Sequence, residues 1–407
     1  MAHPHQPLEH GDARWSRRRA GSVILLVLMT LLLTAFALTK YLEKASIDLL
    51  ADARAARADR LRSQAYSALE TVLAVLQEFQ TVDGGLSSPA EGWGNPLDFA
   101  GYAPPEGLVV EAAIEDESAK ISLPHADFPT LRDLFLLLGQ KQADAERLAD
   151  ALLVWMQQGY EPANSFTAHA SDYERADLPH DPPLRSLHSF AELASIQYVR
   201  DRLFDENGRP NALWQSFVDS VSLFDFSQPN INSAKMTTLA AQGGYDESSM
   251  KMISEYLGGL ASYSKQGPSF FRNAQDVAGL VGQTAVSAKL GTQVRCLRVN
   301  VTVREGQSSY RMSAVVTASG GAQLPPPTPQ TTGSTSTSST ANNDSTAARN
   351  TPDASAGAGA TTPSAAAAGS TAAGQTQAAL NYPFTLLEIR ENSGIVDSAS
   401  LSQSSPQ

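Results

Sequence analysis

An uncharged stretch near the start of the chain constrains its fold more than any other feature. Residues 20–39 carry no charge and are mostly apolar. A bilayer's hydrocarbon core is spanned by about 20 residues of helix, so this stretch can cross a membrane, and no other stretch in the sequence is as long and apolar. Four basic residues precede it: Arg14, Arg17, Arg18 and Arg19. Because positive residues stay on the cytoplasmic side, we predict one membrane span, a cytoplasmic N-terminus and an external head.

Three interpretations of this stretch compete. A cleaved secretory signal has a shorter apolar core of about 7–15 residues, whereas here Lys40 and Tyr41 continue into what reads as more helix. A plain single-pass anchor fits without strain. The third interpretation rests on Gly21, which lies between the basic cluster and the apolar run, where a cytoplasmic-face peptidase would leave the helix on the mature protein. This arrangement resembles the leaders of type IV pilins and type II secretion pseudopilins, and it predicts cleavage between Gly21 and Ser22.

The composition argues against several functional classes. The chain of 407 residues has 42 acidic and 30 basic residues and a net charge of −12. It has no basic block beyond the leader, so we expect no nucleic-acid partner. The single cysteine, Cys296, allows no internal disulfide. No G-x-S-x-G, His-x-x-x-His or P-loop motif is present, so we predict that the protein is not an enzyme.

A long N-terminal helix is predicted over residues 22–80. Apolar residues recur at helical spacing along its second half; they are Leu61, Ala65, Ala68, Leu69, Val72, Leu76 and Phe79. Asp83 and the two glycines after it end the pattern. The first half, with a transmembrane part at residues 22–42, is apolar all round, and the second half is apolar on one side only.

The central part of the chain divides into a short strand region and a helical module. Residues 81–124 read as a loop followed by a strand pair turning at Glu115, Asp116 and Glu117. We expect these three carboxylates to be solvated; the alternative is a metal site or a general-acid pair. Residues 125–285 read as an all-α module, and its predicted helices cover residues 128–138, 143–156, a segment opened by the Ser189–Glu192 capping box, 234–241, 248–257 and 271–280.

The last part of the chain has strand periodicity. Residues 292–318 alternate between apolar and polar side chains, turn at Gly306 and return, and residues 380–392 resume a strand. The simplest topology is a three-stranded antiparallel sheet. Between these strands, residues 319–379 are almost entirely small or polar, with only Asp344, Arg349 and Asp353 charged, so we predict a disordered low-complexity insertion. Residues 393–407 are predicted to be a flexible tail.

This order of segments resembles the general secretion pathway protein K family, the minor pseudopilins of type II secretion. Four local runs carry the resemblance: residues 111–123, 187–193, 229–234 and 270–280. The first looks like that family's E-D-E-x-G-K-I-N-L-N strand and the third like its I-N-I-N-T-A segment. The resemblance covers roughly residues 14–318 and 380–392. It implies an α+β fold with a prepilin leader at 1–21, a long N-terminal transmembrane and amphipathic helix, a pilin-like antiparallel sheet and a large inserted all-α domain.

The resemblance also implies a function. Such a protein would sit in the cell inner membrane, be cut by prepilin peptidase and N-methylated at Ser22. It would cap the tip of the pseudopilus in a ternary complex with other minor pseudopilins, and so help to initiate assembly and protein export. Pilins carry a glutamate at the fifth mature position, whereas protein K lacks it, and here that position is Leu26. The alternative is a membrane-anchored periplasmic adaptor or scaffold without a pilus role.

One family feature is missing. The family's helical domain usually has an Asp-Trp-x-Asp run, and some members bind calcium there, but here Trp155 is flanked by Val154, Met156 and Gln157. Calcium requires six to eight oxygens, and nearby residues could supply them instead; these are Asp172, Glu174, Asp177 and Asp181. Apart from this possible calcium, no cofactor is expected.

Overall fold

One long helix, α1, carries the rest of the fold. It runs over Ser16–Asp83, 68 residues, which at 1.5 Å rise per residue is about 100 Å. It ends where Gly84 adopts a left-handed backbone with φ of 74°. The computed structural model describes residues 16–163, 182–283, 286–327, 330–331 and 384–392, and of residues 16–22 the backbone only. Residues 1–15 of the expected leader therefore lie outside the described part.

The other elements follow in chain order. The remaining helices are α2 Pro96–Phe99, α3 Phe128–Leu137, α4 Gln142–Met156, α5 Gln197–Leu203, α6 Ala212–Val218, α7 Met236–Ala241, α8 Glu247–Gly258 and α9 Ala274–Val281. The strands are β1 Val109–Asp116, β2 Ile121–Ser122, β3 Gln157–Gln158, β4 Val221–Ser222, β5 Leu297–Glu305, β6 Ser308–Ala318, β7 Gln330–Thr331 and β8 Phe384–Glu391.

The second half of α1 packs on an antiparallel sheet of four strands in the order β1-β5-β6-β8. The apolar stripe predicted on α1 is buried from Leu61 to Leu76, and it faces one side of the sheet. That side is lined by Leu297, Val299, Val301, Val303, Tyr310, Met312, Ala314, Val316 and Phe384. The alternation over residues 297–316 therefore predicted the core face correctly, and the expected α+β fold with a long helix and an antiparallel sheet is confirmed.

The predicted pairing of the first strand is wrong. β1 does not form a hairpin with the residues that follow it but pairs with β5, with Ala112 opposite Val301. The short β2 pairs in parallel with β4, with Ile121 opposite Val221. Local alternation shows that a strand exists but not which strand it joins, and here β1 adds a fourth strand to the sheet.

The described residues of the helical part pack around two main apolar cores. The first holds α3 to α6, where the rings of Phe135 and Phe217 stack with centroids 5.2 Å apart. The second holds α7 to α9 around Ile253 and Phe271. The helices predicted at 128–138, 143–156 and 248–257 are confirmed to within a residue or two, and the one predicted at 271–280 begins only at Ala274.

Two helix starts differ from the prediction. The Ser189–Glu192 capping box is present, but it opens a 3₁₀ helix over Phe190–Ser195, and α5 begins only at Gln197. The helix predicted at 234–241 begins at Met236. Asn232, just before this helix, is buried with its amide hydrogen-bonded to other segments.

The start of the predicted disordered insertion packs on the fold. Ala322 is buried, and Gln323 pairs with Asp225 through two backbone hydrogen bonds of 2.9 Å. The short β7 pairs with β3. The prediction of disorder is therefore wrong for residues 319–327, and most of the rest of the insertion lies outside the described residues. In the sheet, Ala318 before the insertion lies opposite Phe384 after it.

Candidate functional site

The first candidate site is the exposed apolar half of α1. Within the described residues, the stretch Val23–Asp83 is the one helix long and apolar enough to cross a membrane. Its apolar side chains from Val23 to Leu50 are largely exposed, and Leu26 is 62% exposed. A continuous apolar surface of this length is not stable in water. It must be covered by lipid or by other helices.

Gly21 and Ser22 lie within the helical backbone of α1. The helix therefore continues without a break through the predicted cleavage position and on to Leu26. Nothing in the backbone separates a leader from the apolar half. The predicted site thus stays a prediction from the residue order alone.

Ion pairs hold α1 to the sheet where the head begins. Arg57 and Arg60 both pair with Glu305 at the turn between β5 and β6. Arg62 Nη2 lies 2.8 Å from a carboxylate oxygen of Glu391 at the end of β8, and the hydroxyl of Tyr66 donates to the same oxygen.

These two donors hold the pKa of Glu391 at about 2, well below its usual range. Exposed pairs of this kind contribute little stability one by one. Their effect is to fix the position of α1 on the sheet at the point where the helix extends beyond the head.

The second candidate site is a buried charge cluster where the sheet meets the helical part. Glu117 is almost fully buried and lies 3.1 Å from both Lys120 Nζ and Arg298 Nε. Ser222 donates a hydrogen bond to its other oxygen, and Glu115 lies 2.8 Å from Lys120. Burial raises the pKa of Glu117, but the two cations outweigh burial and leave that pKa below its ordinary value.

Asp116, next to this cluster, has only uncharged partners. Ser118 Oγ donates to one of its oxygens over 2.5 Å and Asn230 Nδ2 to the other over 2.7 Å. The same Asn230 amide also donates to the carbonyl of Ser87, and its backbone N–H donates to the carbonyl of Ser118. Burial raises the pKa of Asp116 to about 6, although these hydrogen bonds oppose the rise.

These hydrogen bonds form a joint between the sheet and the helical part, made by residues 116–118 and 229–234. Asn232 adds further hydrogen bonds on the helical side. Its amide donates to the carbonyls of Phe271 and Thr292, each over 2.9 Å, and accepts from the Phe271 N–H. Residues 111–123 and 229–234, which carry the sequence resemblance, therefore meet in space. Their shared role is to fasten the sheet to the helical part.

The expectation that Glu115, Asp116 and Glu117 are solvated is wrong for two of the three. Asp116 and Glu117 are buried, while Glu115 is half exposed. The cation that neutralises Glu117 from β5 is Arg298, which is 181 residues away in the chain. No local signal in the sequence connects these two residues, so sequence reasoning missed the cluster.

The metal-site alternative at this turn does not fit the geometry. The oxygens of Glu117 are taken by two cations and a hydroxyl, and a metal ion would have to displace them. In the described part of the chain, no group of three or more His, Cys, Asp or Glu side chains is placed to hold a metal. The possible calcium ligands Asp172, Glu174, Asp177 and Asp181 lie outside the described residues. Val154, Trp155 and Met156 lie at the end of α4, where they are buried in an apolar core.

Comparison with known proteins found one protein-family model that matches part of the chain. Residues 111–206 match the family model described as type II secretion system (T2SS), protein K, which confirms the resemblance over this segment. The crystal structure of the GspK-GspI-GspJ complex from enterotoxigenic Escherichia coli contains a similar chain, with 15% identity and a TM-score of 0.44, covering 64% of this chain and 93% of that one. No curated protein matches the chain.

Proposed function

We propose, from the match of residues 111–206 to the family model of type II secretion system protein K, that this chain belongs to that family and is the minor pseudopilin that caps the tip of a pseudopilus. In this role it helps to initiate pseudopilus assembly and the export of proteins across the outer membrane. It acts as a structural subunit and not as an enzyme. It sits in the cell inner membrane with its N-terminus in the cytoplasm and its head in the periplasm.

The observation that carries this proposal is the division of α1 into two halves. The half from Leu61 onward is packed on the sheet, while the apolar side chains from Val23 to Leu50 are largely exposed in the described chain. Such a helix can lie in the bilayer before assembly and among neighbouring helices afterwards, without any change in the head. A cleaved signal would leave the head without this helix.

Leu26 supports placement at the tip. A buried carboxylate at the fifth mature position needs a cation, because an unpaired buried charge is costly. In a fibre that cation is the terminal ammonium of an adjacent subunit. A subunit with leucine at this position has no such requirement, so it can end the fibre. Its large helical part, α3 to α9, would also be hard to repeat along a tightly packed fibre.

Processing at Gly21 is the first test. Prepilin peptidase should cut between Gly21 and Ser22, and Ser22 should then be N-methylated. The intact mass of the protein extracted from membranes measures both events. An intact Met1, or a cut after Thr39 or later, contradicts the proposal.

Assembly is the second test. We propose that the heads of two other minor pseudopilins bind this head in a one-to-one-to-one complex. Size-exclusion chromatography of the purified heads, mixed and separate, measures this, with residues 44–407 as the head of this chain. The head should not polymerise alone. Labelled protein that decorates fibres along their whole length would contradict placement at the tip.

A membrane-anchored periplasmic adaptor without a pilus role is the second candidate. It is favoured by the same exposed apolar half of α1, since a plain anchor needs nothing more. The two candidates differ at Gly21, which is cut in a pseudopilin and left intact in an adaptor. The mass measurement therefore separates them.

A further inference from the structure

Asp116 is a buried carboxylate without a cation. It ends β1, is 8% exposed, and receives hydrogen bonds from Ser118 and Asn230. Within the described residues, no lysine, arginine or histidine forms an ion pair with it, since Lys120 and Arg298 are both taken up by Glu117. An ionised carboxylate in such a place is costly unless it is paired.

We propose that the protonation state of Asp116 controls how stably the sheet is held to the helical part. The contact is most stable when Asp116 is protonated. The hydrogen-bond partners of Asp116 can accommodate a protonated carboxyl group. Ser118 Oγ already accepts from the Arg295 N–H, and a hydroxyl oxygen has a second lone pair. A protonated Asp116 can therefore donate to Ser118 while its other oxygen still accepts from Asn230.

The charged groups around Asp116 do not titrate in the same range. The cations beside Glu117 hold its pKa low against burial, and the pKa values of Lys120 and Arg298 are raised by their carboxylate partners against burial. Burial raises the pKa of the Cys296 thiol well above its ordinary value. From the helical side, the groups that act on Asp116 are the amide of Asn230 and the hydroxyl of Ser233, neither of which is charged. Of the groups named here, Asp116 is the one that changes charge near neutral pH.

The direction of the effect follows from linkage. The pKa of Asp116 is about 6 in the fold against 3.8 for the free side chain. A carboxyl group whose pKa is raised by folding stabilises the fold fully below the unfolded pKa, and this contribution is lost as the pH rises through the folded pKa. The joint should therefore open more readily at pH 7.5 than at pH 4.5, by about 25-fold.

Hydrogen–deuterium exchange of the full-length protein in detergent measures this opening. After correction for the intrinsic pH dependence of exchange, peptides covering residues 116–120 and 229–233 should be about 25-fold less protected at pH 7.5 than at pH 4.5. Asp116→Asn, which mimics the protonated carboxyl, should remove the difference and stay protected at both pH values. Glu111→Gln is the matched control, because Glu111 lies on the same strand with its side chain exposed, and it should leave the difference unchanged.

Two results overturn the proposal. The first is equal protection of these peptides at both pH values in the wild-type protein, or a pH difference that persists in Asp116→Asn. The second uses Ser118→Ala and stands even if Asp116→Asn does not fold. Since the Ser118 hydroxyl stabilises the ionised form, its loss should move the midpoint of the wild-type transition to higher pH, and an unchanged or lower midpoint excludes Asp116 as the titrating group.

Discussion

Replacing Glu117 with glutamine should destabilise the head strongly. The substitution keeps the shape of the side chain and its contact with Ser222, but it removes the charge shared by Lys120 and Arg298. The side chains of these two residues are only 14% and 21% exposed. Breaking a buried ion pair by removing one partner costs about 3–5 kcal/mol. Because Lys120 keeps Glu115 as a partner, we expect a loss of about 2–4 kcal/mol.

Urea unfolding of the head, residues 44–407, followed by tryptophan fluorescence measures this loss. Glu115→Gln is the matched control, since Glu115 binds the same lysine with a side chain that is 48% exposed. Exposed pairs contribute about 0–1 kcal/mol, so this control should cost less than about 1 kcal/mol. The reasoning is refuted if Glu117→Gln costs no more than Glu115→Gln.

The pH dependence gives the same prediction a second readout. The pKa of Glu117 is lowered in the fold, because the cations outweigh burial. Its contribution is therefore present above the unfolded pKa of about 4.3 and is lost as the pH falls through the folded value. The stabilities of the wild-type protein and Glu117→Gln should converge in strong acid. A gap that stays constant down to pH 2 would mean that packing, not charge, causes the loss.

Three further predictions concern the insertion and α1. Deleting residues 332–379 should change the melting temperature of the head by less than about 2 °C, whereas deleting residues 319–379, which include the buried Ala322, should lower it by several degrees; differential scanning calorimetry of both variants tests this. Leu76→Ala should cost about 2–5 kcal/mol in urea unfolding because Leu76 is fully buried against the sheet, and Leu49→Ala, on the exposed part of the same helix, should cost nothing. In the full chain, Leu26→Glu should permit labelled protein to enter fibres away from their ends, which fluorescence microscopy would detect; labelling that stays confined to the ends would contradict the role given to Leu26.

Several parts of the molecule could be predicted from the sequence because their signals are local. The length of α1 and its buried stripe follow from apolar residues at steps of three and four. The core face of β5 follows from strict alternation at Val299, Val301 and Val303. Such patterns are set by the geometry of the element itself, whatever it packs on. The same applies to the uncharged stretch at residues 20–39, because the exposure of its residues 23–39 agrees with the membrane span predicted for it.

The partners of these elements were decided only by the tertiary structure. β1 has an alternation that a hairpin would satisfy as well as β5 does, and only the complete sheet selects β5. The carboxylate of Glu117 looks like part of a solvated turn until Arg298 is brought to it. Asn230 reads as an ordinary loop residue, yet its amide joins Ser87 to Asp116. These contacts depend on residues more than 100 positions apart, so the burial and charge state of each group are set by neighbours that the local sequence does not contain.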